Sequence, residues 1–240
     1  MVNEFSNIIK EVIEPDDVDV SSIKMNETLS PLIWDTDDVL KSDVRKTLLK
    51  NAQRFIEFSG IEKLKFNDIV FTGSMANYNY TDNSDLDVHI IFDFSQISEN
   101  LDFINDYFKL KKDLWSHNLP IQVKGHDVEV YFQNSSEKHQ SSGVYSLQKN
   151  TWIRKPLKQI INIDTVGIKA KSTDMMNEID NLETENQSLF LTKYKEIKDK
   201  IKKYRQAGLE RVGEYSIENL VFKILRNTGY IGKLINMKNS

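Results

Sequence analysis

An apolar run, Ile69-Val70-Phe71, leads into Thr72-Gly73-Ser74, and after a polar stretch the chain resumes with Asp85-Leu86-Asp87-Val88 at the head of a second run rich in β-formers. Few folds accommodate that order of residues. Side chains alternate across a strand, so Asp85 and Asp87 leave one face while Leu86 and Val88 leave the other. A sheet that buries Leu86 and Val88 therefore sets two carboxylates side by side on its opposite face. Charges of like sign so placed raise each other's pKa unless a cation lies between them. Magnesium suits the position, because it binds one or two protein carboxylates together with phosphate oxygens and water. A pair of such ions about 4 Å apart can activate an attacking hydroxyl and stabilise a leaving pyrophosphate, which calls for a third carboxylate.

The stretch His126-Asp127-Val128-Glu129-Val130-Tyr131-Phe132 supplies that acid on a further strand. Glu129 has a valine on either side and should lie mid-strand, which makes it the preferred third ligand and a candidate general base, with Asp127 in reserve. Gly73 and Ser74 suit a phosphate site. Glycine after a strand lets backbone N–H groups approach a triphosphate closely, and the serine hydroxyl adds a donor. If Ser74 opens a short helix, the helix end adds favourable potential.

Taken together, Gly73-Ser74, Asp85-Leu86-Asp87 and the isolated strand acid Glu129 resemble the active-site signature of the DNA polymerase β-like nucleotidyltransferases. That superfamily includes tailing polymerases, antibiotic-modifying adenylyltransferases, oligoadenylate synthases and small toxin-antitoxin enzymes. The resemblance covers about Asp68 to Phe132. It implies transfer of a nucleoside monophosphate from an NTP such as ATP to a hydroxyl, with two Mg²⁺ or Mn²⁺ ions. It further implies nucleotide binding by Gly73 and Ser74, and metal binding and catalysis by Asp85, Asp87 and Glu129. One departure stands out: the third acid of the family is commonly aspartate, and glutamate is a longer arm. The acceptor stays open between RNA or tRNA, a small molecule, a second nucleotide and a protein side chain. A catalytically inactive nucleotide- or partner-binding module with the same fold is the alternative.

Around this centre the pattern predicts a helix over Asp37–Ser59, capped by Thr36 and stopped by Gly60, then a strand over Asp68–Thr72 and another over Leu86–Phe94. A helix follows over Glu99–His117, with Leu101, Ile104, Phe108, Leu114 and Trp115 on one side, then strands Ile121–Lys124 and Asp127–Phe132 about Gly125. A short hairpin is expected from Val144–Leu147 and Thr151–Ile153. Beyond Pro156 the pattern turns helical over Thr173–Glu185, Leu189–Gln206 and Ile217–Thr228, with Ser172 and Ser216 as N-caps and Gly229 as a stop. The fold class is α+β: a small mixed or antiparallel nucleotidyltransferase sheet flanked by helices, with a helical C-terminal region. Residues 1–156 read as the catalytic domain with a helical lead-in, and residues 157–240 as the helical region.

Composition narrows the chemistry further. With no cysteine, disulfides, thiolate metal sites and a cysteine nucleophile are all excluded. The four histidines, His89, His117, His126 and His139, lack the spacing of a zinc hydrolase, and no Gly-x4-Gly-Lys-Ser/Thr loop occurs. No apolar run is long enough to span a membrane, and the N-terminal residues mix acids into every apolar stretch, so a cytoplasmic protein is expected. Net charge is −4, which argues against a general nucleic-acid coat, although Lys and Arg outnumber acids over residues 189–240. That segment reads either as a solvated helical face or as a phosphate-rich groove. His89 could touch substrate or be a polar sheet residue, Tyr78 and Tyr80 could stack on a base or simply pack, and Arg154 and Lys155 could reach a triphosphate.

Overall fold

The computed structural model describes residues 12–23, 25–139, 141–158 and 163–238. They fall into two compact units, one of residues 24–160 and one of residues 1–23 with 161–240. The sequence reading put the first residues with the sheet and the break after 156, whereas the structure groups residues 12–23 with the C-terminal helices.

The first unit is α+β, as expected, and is built on a six-stranded mixed sheet. Its strands are β1 (Phe66–Thr72), β2 (Leu86–Phe92), β3 (Gln122–Val123), β4 (His126–Asn134), β5 (Val144–Ser146) and β6 (Thr151–Arg154). Their spatial order is β3-β4-β2-β1-β5-β6. Every pairing is antiparallel except β2 with β4. That parallel pair needs a crossover, which helix α2 (Leu101–Asn118) makes. The β3–β4 turn is tight because Lys124 and Gly125 both take positive φ, the conformation that matches strand twist in a two-residue hairpin.

Helix α1 (Ser42–Ser59) packs Val44, Leu48, Ala52, Phe55 and Ile56 against Phe71, Leu86, Val88, Ile90 and Val130 of the sheet. It begins later than the periodicity predicts. Residues 35–39 form a turn in which the Asp35 carboxylate accepts from the backbone N–H groups of Asp37 and Val39, and Asp38 takes φ 56°. The cap therefore goes to a turn and not to Thr36, while Gly60 closes the helix in the left-handed conformation as expected. On α2, Ile104, Phe108 and Trp115 are buried, but Leu101 and Leu114 are exposed.

Trp34 ties the unit together. Its ring stacks on Phe71 of β1 and on Trp152 of β6, meets Tyr145 of β5 edge-on, and donates its indole N–H to the Met75 carbonyl at 2.8 Å. Trp152 in turn donates to the Asp38 carbonyl at 2.8 Å. One side chain from the lead-in thus fixes a central strand, the edge hairpin and the turn after β1.

The second unit is helical: α3 (Thr165–Leu182), α4 (Gln187–Arg211), α5 (Ile217–Asn227) and α6 (Tyr230–Met237). Its core gathers Ile168, Met176, Ile179, Tyr194, Ile201, Val221, Ile224 and Leu234, joined by Val18 and Ile23 from the N-terminal segment. The Asn177 side chain accepts from the Ile13 N–H at 3.1 Å and donates to its carbonyl at 3.0 Å, which pins that segment to α3. Ser216 caps α5 as expected, but Ser172 is buried inside α3, whose cap is Asp164. Gly229 ends the α5 region and at once starts α6, a short helix the sequence reading lacked. Among the described residues no helix is long and apolar enough to cross a membrane.

Truncating Trp34 to alanine should cost the sheet unit about 3–5 kcal/mol, the usual range for a buried aromatic. Urea unfolding followed by far-UV circular dichroism measures this, and a loss below about 1 kcal/mol would contradict the role given to Trp34.

Candidate active site

The pleat of β2 sends Leu86, Val88 and Ile90 into the core and turns Asp87 and His89 to the opposite face. On β4, Val128 and Val130 are buried while Glu129 and Tyr131 share the face of Asp87 and His89. The register decides which acids meet. Asp87 lies directly beside Glu129 and His89 beside Tyr131, and on the other side Asp87 pairs with Thr72 of β1. Adjoining strands run about 5 Å apart, and two carboxylates held at that separation would repel by about 3 kcal/mol at an effective dielectric near 20. Asp127, the reserve candidate, is exposed toward the edge of the sheet, where its carboxylate accepts from the Gln122 amide at 2.8 Å.

Gly73 follows β1 with φ 77°, and a Cβ there would lie 1.9 Å from Asp87 Oδ2. Only glycine fits, because it tolerates both the backbone conformation and the carboxylate against it. Ser74 does open a helix, but it is a single 3₁₀ turn, Ser74–Ala76. That turn is held from behind by Trp34 at Met75 and packs on the loop before β5, where a Cβ on Gly143 would meet the Ala76 carbonyl at 1.9 Å. The same loop accepts a hydrogen bond from Thr72 Oγ1 at 2.8 Å and one from Asn77 Nδ2, through Ser142 Oγ, at 2.7 Å.

Two features found by structure alone shape the site. Lys112 reaches from α2 and places Nζ 3.0 Å from Glu129 Oε2, and 3.8 Å from the centre of the Tyr131 ring. The Tyr131 hydroxyl donates to the same Glu129 oxygen. Burial pushes the Tyr131 phenol upward, and the charges of Asp87, Glu129 and Asp85 push it further. All three predicted acids thus bear on one hydroxyl, which stays protonated and able to donate. A signal for Lys112 was present in the sequence, since it stands four residues after Phe108 and three before Trp115, in the buried stripe of an amphipathic helix.

Other candidates go elsewhere. Arg154 donates to the carbonyls of His139, Ser141 and Ser142, and so shapes the loop before β5. Lys155 pairs with Asp38 at 2.8 Å. Tyr78 and Tyr80 pack against the core, and their carbonyls accept from the Asn26 side chain. His126 Nδ1 lies 2.8 Å from the Ser84 carbonyl and anchors the chain just before Asp85.

Carboxylates are the right donors for a hard divalent ion, and Asp87 and Glu129 share one face of the sheet, with Asp85 one residue before β2. Among the described residues no three His, Asp or Glu side chains are already gathered as a metal cage. Glu129 Oε2 is engaged by Lys112 and Tyr131.

No protein-family model matches the chain, and no curated protein matches it. Among solved structures, it is similar to a STING-associated CdnE c-di-GMP synthase from Capnocytophaga granulosa. The two are 10% identical, the alignment covers 84% of each chain, and the TM-score is 0.25.

His89 adds a pH dependence. Gln133 Nε2 donates to the Glu137 carbonyl, which turns Oε1 toward His89 Nδ1 at 2.7 Å, so Nδ1 carries the imidazole proton. Burial drops the His89 pKa to about 4, against a partial rise from the Gln133 bond, with His139 and Lys112 lowering it further. The unfolded imidazole titrates near 6.5, so between these values the unfolded chain binds more protons. Stability linked to His89 is whole above pH 6.5 and is lost as the pH falls from there to about 4, by about 3 kcal/mol. Urea unfolding of wild type and His89→Phe should show their stability difference shifting in the variant's favour across that window. A difference independent of pH would contradict a buried neutral His89.

Proposed function

We propose that this chain is a metal-dependent nucleotidyltransferase that moves a nucleoside monophosphate from an NTP to a hydroxyl and releases pyrophosphate. The observation that carries the reading is the direct pairing of Asp87 with Glu129 on parallel strands, with Gly73 seated against Asp87. Nothing in packing calls for two acids in register on one sheet face, and like charges opposite each other weaken a sheet. A bound cation reverses the sign of that interaction.

In this reading Asp85, Asp87 and Glu129 would hold Mg²⁺ or Mn²⁺, in two sites, and the bound ions would neutralise charge on the triphosphate and the departing pyrophosphate. Gly73 and Ser74 would take the triphosphate at the end of β1. The acceptor oxygen bonds to the α-phosphorus as the bond from that phosphorus to the bridging oxygen of pyrophosphate breaks. Glu129 receives the acceptor's proton, and Tyr131, held in its protonated form, orients that carboxylate. Most of the rate would come from positioning and charge neutralisation.

The engagement of Glu129 by Lys112 favours a second reading, a nucleotide-binding module without turnover. One experiment separates the two. Purified protein is incubated with each labelled NTP, Mg²⁺ or Mn²⁺, and a pool of RNA, tRNA, nucleotides, small metabolites and protein acceptors, and pyrophosphate release and label transfer are measured. Metal-dependent transfer should fall at least 10³-fold in Asp85→Ala/Asp87→Ala, a loss of about 4 kcal/mol in barrier lowering. NTP binding without transfer supports the module, and equal transfer by both proteins refutes the assignment of the acids.

A further inference from the structure

Lys112 is oddly placed for a lysine. It occupies a position that the spacing of Ile104, Phe108 and Trp115 reserves for an apolar side chain, and only a quarter of its side chain is exposed. A hydrophobic residue there would avoid the desolvation of an ammonium group. Its neighbour Lys111 behaves differently, lying over the rings of Phe58 and Tyr107. Lys112 alone of the two bears on the acids.

The detail that matters is which atom it meets. Lys112 Nζ and the Tyr131 hydroxyl both bind Glu129 Oε2. A magnesium ion approaches a carboxylate oxygen to about 2.0–2.1 Å, so one that took Oε2 would have to enter the space these two donors fill. The ammonium has somewhere to stay if it leaves, because it already sits over the face of Tyr131, where a cation is attracted by the ring.

We propose that Lys112 is the resident counter-cation of the third acid, and that a divalent ion takes Glu129 Oε2 only by displacing it, so that Lys112 sets the metal affinity of the site. This rests on the nucleotidyltransferase reading in taking Glu129 as a metal ligand. Lys112 is then a positioning residue. Without metal it balances the Glu129 carboxylate and holds it beside Tyr131, and with metal it yields that oxygen. Loading of the site becomes an exchange of cations and not a simple addition.

The test uses the full chain with manganese alone, following free Mn²⁺ by electron paramagnetic resonance. Lys112→Met should bind Mn²⁺ about tenfold more tightly than wild type, since one competing cation is gone. Asp85→Asn/Asp87→Asn should lose binding. If Lys112→Met binds no more tightly while the double asparagine variant loses Mn²⁺, Lys112 is an ordinary structural partner and the inference is overturned, with the metal site intact. If the double asparagine variant binds Mn²⁺ as wild type does, the metal site itself is refuted and the inference falls with it. A second measurement needs no variant. Saturating Mg²⁺ should speed acetylation of Lys112 in wild type severalfold, with Lys111 as internal reference in mass spectrometry, and an unchanged or slower rate overturns the inference even if Lys112→Met fails to fold.

Discussion

Two acids stand in register on neighbouring parallel strands, and the hydrogen bonding of the sheet keeps their backbones side by side. The Asp87–Glu129 pairing is therefore the constraint around which the sheet unit is arranged. Hydrogen bonding between β2 and β4 fixes the backbone, and burial of Leu86, Val88, Val128 and Val130 on the other face prevents a slip of one residue, which would exchange the faces. What can adjust is the surroundings of the acids. Lys112 brings a positive charge, Tyr131 brings a hydroxyl that burial and three acids keep protonated, and Gly73 removes a side chain that would collide with Asp87.

The elements around the acids serve to hold the adjoining loops still. Trp34 links β1, the β5–β6 hairpin and the 3₁₀ turn at Ser74, so the turn after β1 does not depend on its own few hydrogen bonds. Arg154 gathers three carbonyls of the loop before β5, and that loop packs on Ala76. An arginine that looked like a phosphate ligand thus supports the site from behind. Its five donors in a fixed fork suit a cluster of carbonyls as well as they suit an anion.

Much of the sheet unit was legible because β1 is a short apolar run while β2 and the first half of β4 alternate, and that alternation fixes the face of Asp87 and Glu129. Register was not. Glu129 does lie within β4, between two valines, and Asp127 near its start beside Gln122, but the pairing of Glu129 with Asp87 depends on the α2 crossover, which no local pattern encodes. Lys112 was missed because attention to a helical stripe goes to its apolar members, and a lysine there passes as surface. Helix starts were misplaced where side chains served other turns. Asp35 holds a turn where the helix was expected, α1 starts after Lys41 with no side-chain cap, and α3 starts at a cap, Asp164, whose carboxylate Gly167 admits only because it has no Cβ. The membership of residues 12–23 in the helical unit rests on tertiary contacts such as Ile13 with Asn177, far apart in the chain.

The most direct test of the central claim is a crystal structure with Mn²⁺ and a non-hydrolysable NTP, read through the anomalous signal of manganese. The account predicts anomalous peaks within coordination distance of Asp85, Asp87 and Glu129, the triphosphate against Gly73 and Ser74, and Lys112 Nζ withdrawn from Glu129. Manganese and nucleotide bound elsewhere, with Glu129 still paired to Lys112, would contradict it.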